Sequence, residues 1–425
     1  MKIIVVSLTS LDTGRGHPVR IASVLKVLAE QFGPGSVEWV NVVPGHLGVW
    51  GRCRELRREY AGLRVRSHFI AFPSVSVPLV RTALLALLNL RLAAWMFLRY
   101  GSGKDLVLLS EMTLSAVPFL LYKKLAGVPL VMDMHGTVDE TIQFRPPSPA
   151  ASLAYAEDVF FEALQLPGLQ GLAVVSRRME ELLRSRYGRV PANTALVPIC
   201  ADTARLEPGA GAREAARKEL GLEGKFVFVY SGGTQGWQCI DQALTLFKAA
   251  RGAAQLADLD PRLIFLTWDR AFDLRPRLAA AGIEPGLVIS KVLPAQEVGR
   301  HLQAADAALV FRENVTTNLV SSPTKVGEYL MSGLPIVCNG NVGDASRIIA
   351  SSGTGFVTDP APGMDAAPLA AWCREVHTAR ADYARRCRET ALDEFGPRKM
   401  LALCGLVREA AACRPGETPA PPTRP

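Results

Sequence analysis

Residues 321–337 read SSPTKVGEYLMSGLPIV, and this short stretch decides the fold. Ser322 is a good N-cap, Pro323 suits the first helical position, and Gly333 suits the residue that ends a helix. The stretch therefore predicts a helix of about three turns that is followed at once by a buried strand. A capped helix joined so closely to an apolar strand is typical of a parallel α/β unit.

The start of this predicted helix has the chemistry of a phosphate site. Free backbone N–H groups and the positive end of the helix dipole lie beside Thr324 and Lys325, and both favour an anion. Glu328 is three residues after Lys325 and shares its face, where a carboxylate can accept hydrogen bonds from sugar hydroxyls. From these residues alone, a surface pair of Lys325 and Glu328 on a well-capped helix is an open alternative.

Short apolar runs alternate with helix-period segments in both halves of the chain. Strands that are buried on both faces have this continuous apolar pattern, and their alternation with helices predicts right-handed βαβ units. We expect an α/β protein with two doubly wound, Rossmann-like parallel-sheet domains that face each other across a cleft. The predicted strands are Ile3–Ser7, Val37–Val43, Leu106–Leu109, Leu130–Met134, Leu172–Val175, Phe226–Tyr230, Leu263–Leu266, Leu287–Ser290, Ala307–Phe311 and Ile336–Cys338.

The length of the chain, 425 residues, exceeds what one ordinary core accommodates. The strand pattern begins again after a polar stretch near residue 207, so we place the link between domains near 198–206. The predicted organisation is a first domain at 1–200, a second at 201–395, a C-terminal helix at 396–413 and a disordered Pro-rich tail at 414–425.

Composition argues against several classes of protein. The formal net charge is +8, but the chain lacks zinc-finger spacing and RNA-binding aromatic signatures, so we expect no nucleic-acid partner. Eight cysteines without a Cys-x-x-Cys pair, and an N-terminal apolar run too short for an export signal, predict a cytoplasmic protein. Asp258 and Asp260 match an Asp-x-Asp metal pattern, but they fall in a predicted turn, and we expect no metal site.

Residues 78–100, PLVRTALLALLNLRLAAWMFLRY, allow three interpretations. They predict a buried helix that covers the first sheet, a helix that lies in a membrane interface, or a membrane span. The span is disfavoured because Arg81 and Arg91 interrupt the apolar run.

The stretch at 321–337 resembles the donor-site signature of retaining glycosyltransferases of the GT-B fold, close to the family 4 bacterial polysaccharide glycosyltransferases. Four other segments resemble that family in the same order and spacing. They are a strand followed by a histidine at Val131–Gly136, a strand–Ser–helix at Val174–Met179, a strand and glycine turn at Val229–Gly233, and the strand at Ala304–Leu309.

This resemblance implies transfer of a sugar, with retention, from a nucleotide-sugar donor to a saccharide or polyprenyl-linked acceptor. The nucleotide sugar is a co-substrate, and no other cofactor is implied. The first domain would bind the acceptor and the second the donor. Glu328 would bind the donor ribose, Lys325 and Thr324 would lie near the diphosphate, and His135 would approach the transferred sugar. The implied residues are His135, Glu328 and Lys325 for catalysis, Gly232, Gly233, Thr234, Gln238, Ser322 and Thr324 for the donor, and Gly14, Arg15 and Gly16 for an acceptor and phosphate loop.

The chain departs from the family pattern at three positions. Val320 stands where many relatives have a glutamate, and Thr234 and Gln238 stand where they have an Arg and Lys pair that neutralises the diphosphate. The charge of the leaving group must then be met by Lys325, by the helix dipole, or by an arginine from elsewhere. The candidate arginines are Arg312, Arg15 and Arg20.

These departures leave two alternatives to a transferase, namely a nucleotide-sugar epimerase and a catalytically silent GT-B protein that acts as a binding partner. A lipid-linked acceptor would explain a basic, partly apolar first domain held at the cytoplasmic face of an anionic membrane.

Overall fold

Two parallel β-sheets organise this chain. The computed structural model describes residues 1–8, 16–45, 49–73, 77–144, 146–201, 206, 209 and 211–413, with the backbone alone at 16–19 and 295. The chain divides into two units, each built on one sheet. The first unit comprises residues 1–198 together with the C-terminal residues from Lys399, and the second unit is Ile199–Arg398.

The sheet of the first unit has the order β3-β2-β1-β4-β5-β6-β7 in the described residues, and its neighbouring strands are all parallel. Its strands are β1 Lys2–Ser7, β2 Val37–Pro44, β3 Arg66–Phe72, β4 Leu106–Glu111, β5 Leu130–Met134, β6 Gly171–Val174 and β7 Thr194–Leu196. The α-helices of this unit are Gly16–Phe32, Val49–Gly62, Val80–Tyr100, Thr113–Ala116, Leu120–Ala126, Glu140–Gln143, Pro149–Gln165, Arg177–Tyr187 and Met400–Ala412.

The sheet of the second unit has the order β10-β9-β8-β11-β12-β13, again parallel throughout the described residues. Its strands are β8 Val227–Ser231, β9 Arg262–Thr267, β10 Val288–Val292, β11 Ala307–Val310, β12 Ile336–Cys338 and β13 Gly355–Val357. Its α-helices are Ala212–Leu220, Ile240–Gly252, Arg275–Ala281, Ala295–Leu302, Thr316–Leu319, Thr324–Met331, Ala345–Ser352, Ala367–Thr378 and Arg380–Phe395.

Both sheets are covered on both faces. Successive residues of β8 enter two different cores: Val229 packs in one cluster with Tyr329, whereas Phe228 packs in the other with Phe247. In each sheet the strand order reverses beside the first strand, between β1 and β4 and between β8 and β11. In doubly wound sheets, ligands bind outside the carboxyl ends of the strands at this point of reversal.

All ten strands predicted from the sequence are present in the structure. The sequence missed β3, β7 and β13, which are edge strands. Their side chains are largely half-exposed, so they lack the continuous apolar run of a strand buried on both faces.

The helix Met400–Ala412 belongs to the first unit, although it follows the second unit in sequence. Its apolar face, with Leu403, Leu406 and Val407, is buried. A Cβ placed on Gly171 of β6 would lie 3.3 Å from Leu406 Cβ, so the glycine lets this helix approach the sheet closely. The end of the chain therefore completes the core of the first unit.

A buried carboxylate joins a helix to the amino ends of two central strands in the second unit. Asp306 Oδ1 pairs with Arg213 at 2.5 Å and Asp306 Oδ2 with Arg217 at 3.2 Å, while the latter oxygen also accepts the Val227 N–H at 2.8 Å. The carboxylate thus joins the helix Ala212–Leu220 to the starts of β8 and β11.

Candidate functional site

The helix at the centre of the predicted donor site begins later than expected. It spans Thr324–Met331, with Pro323 in extended conformation at the N-cap position. Ser322 is therefore not the N-cap, because Pro323 is itself extended and the first helical residue is Thr324. Its hydroxyl instead accepts the Ile199 N–H at 3.2 Å. The helix has eight residues rather than about three turns, and Gly333 ends it with φ +74°.

Tyr329 fixes this helix to the carboxyl end of β8. Its buried hydroxyl donates to the Ser231 carbonyl at 3.1 Å and accepts the Ser231 N–H at 2.7 Å. The backbone N–H and carbonyl of the last residue of the strand are therefore both hydrogen-bonded to a side chain of the helix. These two hydrogen bonds place the helix face that carries Lys325 beside the glycine turn.

Lys325 lies against that turn. Its Nζ donates to Gln238 Oε1 at 3.0 Å and lies 4.5 Å from the centroid of the Tyr230 ring. Gly232 has φ +146°, and a Cβ at this position would come within 2.7 Å of Lys325 Nζ. Only glycine allows the backbone and the ammonium group to approach so closely.

Arg312 follows β11, the neighbour of β8 at the point of strand reversal. Asn339 holds its backbone, since Asn339 Oδ1 accepts the Arg312 N–H at 3.2 Å and Asn339 Nδ2 donates to the Arg312 carbonyl at 2.8 Å. The side chain is 7% exposed. Within the described residues, its Nε has no hydrogen-bond partner and the guanidinium has no carboxylate at ion-pair distance.

The buried Arg312 and the half-buried Lys325 form a positive site. Burial, and then the charge of Arg312, holds the pKa of Lys325 well below its usual value, while Glu328 acts in the opposite direction. Burial also lowers the pKa of Arg312. Both shifts mean that the charged forms are penalised in the unliganded protein. An anion bound here would relieve that penalty, which is the property expected of a phosphate site.

The remaining predicted donor residues surround the same turn. The Thr234 hydroxyl donates to Asp269 Oδ2 at 2.6 Å, so this side chain is tied to the end of β9. The carbonyl of Gly233 accepts the hydroxyl of Tyr230. Glu328 lies one turn along the helix from Lys325 and is partly buried. The structure thus brings together Lys325, Glu328 and the turn.

His135 lies in the first unit, directly after β5. Its Nε2 is 3.4 Å from Glu111 Oε1, and its Nδ1 is 3.9 Å from Asp133 Oδ2. Glu111 is the last residue of β4 and is the parallel partner of Asp133 in β5. All three side chains are buried, and the imidazole is therefore held between two carboxylates at the carboxyl edge of the sheet.

Arg20, one of the arginines that the sequence offered for the diphosphate, is paired with a carboxylate of its own unit. Its guanidinium is 1% exposed and makes a bidentate pair with Asp133, at 3.0 Å from Nε and 2.7 Å from Nη2. It also donates to the carbonyls of Val197 and Pro198 at 3.0 and 2.7 Å. Arg20 is instead a buried clamp that fixes the carboxylate beside His135.

Two other sequence hypotheses have simpler outcomes. Gly14 and Arg15 lie outside the described residues, and Gly16 is the first residue of the helix Gly16–Phe32. Asp258 pairs with Arg374, and Asp260 with three basic side chains. In the described part of the chain, no group of three or more His, Cys, Asp or Glu side chains is arranged to hold a metal ion.

Sequence analysis missed four residues of these sites. Tyr230, Tyr329 and Asn339 had no signal beyond a polar atom next to an apolar run. Glu111 had a usable sequence signal, because a carboxylate at the carboxyl end of an apolar parallel strand lies at the ligand-binding edge of a sheet.

Comparisons with known proteins agree with this architecture. No family model matches the chain, and no curated protein matches it. Among solved structures, Anabaena HepE in complex with UDP and glucose superposes with a TM-score of 0.67 at 14% identity, over 95% of this chain and 98% of HepE. Sucrose-phosphate synthase from Thermosynechococcus elongatus gives 0.66 at 14%, over 96% and 99%.

WaaG, a glycosyltransferase involved in lipopolysaccharide biosynthesis, gives a TM-score of 0.63 at 14% identity, over 95% of this chain and 98% of WaaG. At such identities the likeness concerns the fold alone. The chain therefore has the GT-B fold, with two parallel-sheet α/β domains.

Proposed function

We propose that this chain is a glycosyltransferase that moves a sugar, with retention and without a metal ion, from a nucleotide-sugar donor to a saccharide or lipid-linked acceptor. The observation that carries the proposal is the pair formed by the half-buried Lys325 and the buried Arg312 at the carboxyl ends of β8 and β11. HepE, which shares the fold, has been crystallised with UDP-glucose, and this supports a nucleotide sugar as the donor class.

The donor diphosphate is assigned to the positive site formed by Lys325 and Arg312 beside Gly232. The ammonium and the guanidinium replace the basic pair whose positions are occupied by Thr234 and Gln238. Because both cations are already positioned beside the turn, they can stabilise charge on the departing nucleotide without reorganising at the moment of reaction. Gly232 leaves room for the Lys325 ammonium to lie against the backbone of the turn.

Glu328 is assigned to the ribose hydroxyls. It lies on the same helix as Lys325, one turn further from the helix start, which is a separation comparable to that between a diphosphate and its ribose. A carboxylate accepts two hydroxyl hydrogen bonds well, and such charge-assisted bonds are about twice as strong as neutral ones.

His135 is assigned to the transferred sugar, with Glu111 as the residue that orients its ring. The acceptor hydroxyl would attack on the same face from which the nucleotide departs, so that the configuration is retained. A polyprenyl-linked saccharide is one candidate acceptor and a free saccharide is the other.

The test is a thermal-shift screen against a panel of UDP-, GDP-, ADP- and dTDP-sugars, followed by a transfer assay with the sugar that stabilises most. A ligand that binds the native state raises the melting temperature by mass action. We expect Glu328→Gln to weaken this stabilisation, whereas Glu214→Gln, an exposed glutamate of the same unit, retains it.

Three outcomes contradict the proposal. No stabilisation by any nucleotide sugar removes the donor assignment, and unchanged stabilisation of Glu328→Gln removes the ribose assignment. Binding without transfer to any saccharide or prenyl-phosphosaccharide acceptor favours a catalytically silent binding protein.

A further inference from the structure

The helix Val80–Tyr100 has two unlike faces. Leu85, Leu88, Leu92 and Met96 are buried in the first unit. The opposite face is exposed and apolar, with Leu87 at 63%, Leu90 at 59% and Leu98 at 91% exposure. Among the described residues, this is the one helix with the length and composition to cross a membrane. The buried face packs into the first unit, whereas the described residues of that unit leave the second face exposed.

The helix Pro149–Gln165 also has an exposed apolar face. Leu153, Phe160 and Leu164 recur at helical spacing and are 42%, 61% and 56% exposed. Ala156 and Ala163 complete this face and are exposed as well. Single exposed apolar residues are ordinary, but continuous apolar stripes mark surfaces that bind something.

The two helices contact each other. Arg81 Nη2 lies 2.8 Å from Glu157 Oε2 and 2.8 Å from Asp158 Oδ1, and Leu85 packs with Phe161. A third helix, Leu120–Ala126, packs against the first, since its Leu121 N–H donates to Asn89 Oδ1 at 3.0 Å.

The charges on these three helices are sorted by sign. Val80–Tyr100 and Leu120–Ala126 contain no Asp or Glu. The acidic groups of Pro149–Gln165 are all buried, and they are engaged by Arg81, Arg186 and other inward-facing groups. The charged side chains left exposed on the outward faces include the cations Arg91 and Lys124.

We propose that the outward faces of Val80–Tyr100, Leu120–Ala126 and Pro149–Gln165 dock on an anionic lipid bilayer. Exposed leucines and a phenylalanine would enter the boundary between headgroups and acyl chains, while Arg91 and Lys124 contact lipid phosphates. A second copy of the chain is a poorer occupant, because a two-fold interface would set each cationic face against itself. This surface does not depend on the proposed transfer reaction.

The docking is tested by sedimentation of the full chain with vesicles of phosphatidylcholine alone and of phosphatidylcholine with phosphatidylglycerol. We expect binding to the anionic vesicles that weakens as salt is raised. The double variant Leu87→Asp/Leu90→Asp should bind at least about tenfold more weakly, because two apolar anchors become like-charged with the lipid. Arg91→Gln and Lys124→Gln should each cost about fivefold.

The matched control is Leu392→Asp/Leu401→Asp, which changes two exposed leucines elsewhere and should bind like the wild type. Circular dichroism of each variant establishes that it is folded. The proposal is overturned if the wild type does not bind anionic vesicles, or if both double variants bind equally. It is also overturned if size-exclusion chromatography shows that Leu87→Asp/Leu90→Asp dissociates a dimer that binds no lipid.

Discussion

Replacing Lys325 by methionine should have opposite effects on donor binding and on stability. The methionine keeps an unbranched side chain, one heavy atom shorter, and removes the charge and the three N–H donors. Among the described residues, the ammonium of the unliganded protein makes one hydrogen bond, to Gln238, and it shares a positive site with the buried Arg312. The charge is therefore poorly compensated until an anion arrives.

The magnitudes follow from these contacts. A hydrogen bond between a charged donor and a phosphate contributes about 1.5–3 kcal/mol, so the Kd for a nucleoside diphosphate should rise by about 10- to 150-fold. Removal of a penalised, partly buried charge should stabilise the unliganded protein by about 1–3 kcal/mol. For a unit of this size, each kcal/mol raises Tm by about 2–4 °C.

Isothermal titration calorimetry measures the first effect and scanning calorimetry without ligand the second. The probe is whichever of UDP, GDP, ADP or dTDP gives the largest thermal shift. Lys218→Met is the matched control, because Lys218 is an exposed lysine of the same unit, and both quantities should stay at their wild-type values. A Lys325→Met protein that is less stable without ligand, or that binds the diphosphate as the wild type does, would refute the reasoning.

Three further results are expected. Asp306→Asn should lower the free energy of unfolding by about 3 kcal/mol in urea titrations, because Arg213 and Arg217 lose their shared carboxylate; a loss below about 0.5 kcal/mol would contradict the role of that carboxylate. His135→Ala should reduce kcat for transfer while the donor Kd stays unchanged. An equal change in both quantities would contradict the assignment of His135 to the transferred sugar. Donor affinity should fall as pH rises through the lowered pKa of Lys325, since the neutral amine no longer attracts phosphate. The stability of the unliganded protein should rise over the same interval, because the unfolded chain holds that proton to higher pH. Calorimetry across pH measures both quantities, and a donor Kd independent of pH over this interval would contradict the assignment.

The sequence was sufficient for the architecture because central strands leave a local signal. A strand covered on both faces must be apolar at successive positions, as β8 and β11 are, and this pattern is visible without any knowledge of neighbours. The edge strands β3 and β7 lack that constraint, and their positions depend on pairing with a distant segment.

The sequence also placed Lys325 and Glu328 on one helix face, since their separation of three residues fixes this locally. It misassigned Ser322, because whether a serine before Pro323 caps the helix depends on the backbone conformation around the proline. The hydroxyl is instead used by Ile199, more than a hundred residues away in the sequence.

By itself, then, the sequence determined the alternation of strands and helices, the GT-B class of fold, and the helix that carries the charged pair. Only the tertiary structure decided which arginine accompanies Lys325. Arg20 and Arg312 are both arginines near apolar segments. Arg20 is neutralised by Asp133, whereas Arg312 is buried and has no carboxylate at ion-pair distance in the part of the chain that the structure describes. The reason is that charge compensation in a protein interior depends on distances between side chains, and those distances are set by how the strands are ordered in the sheet.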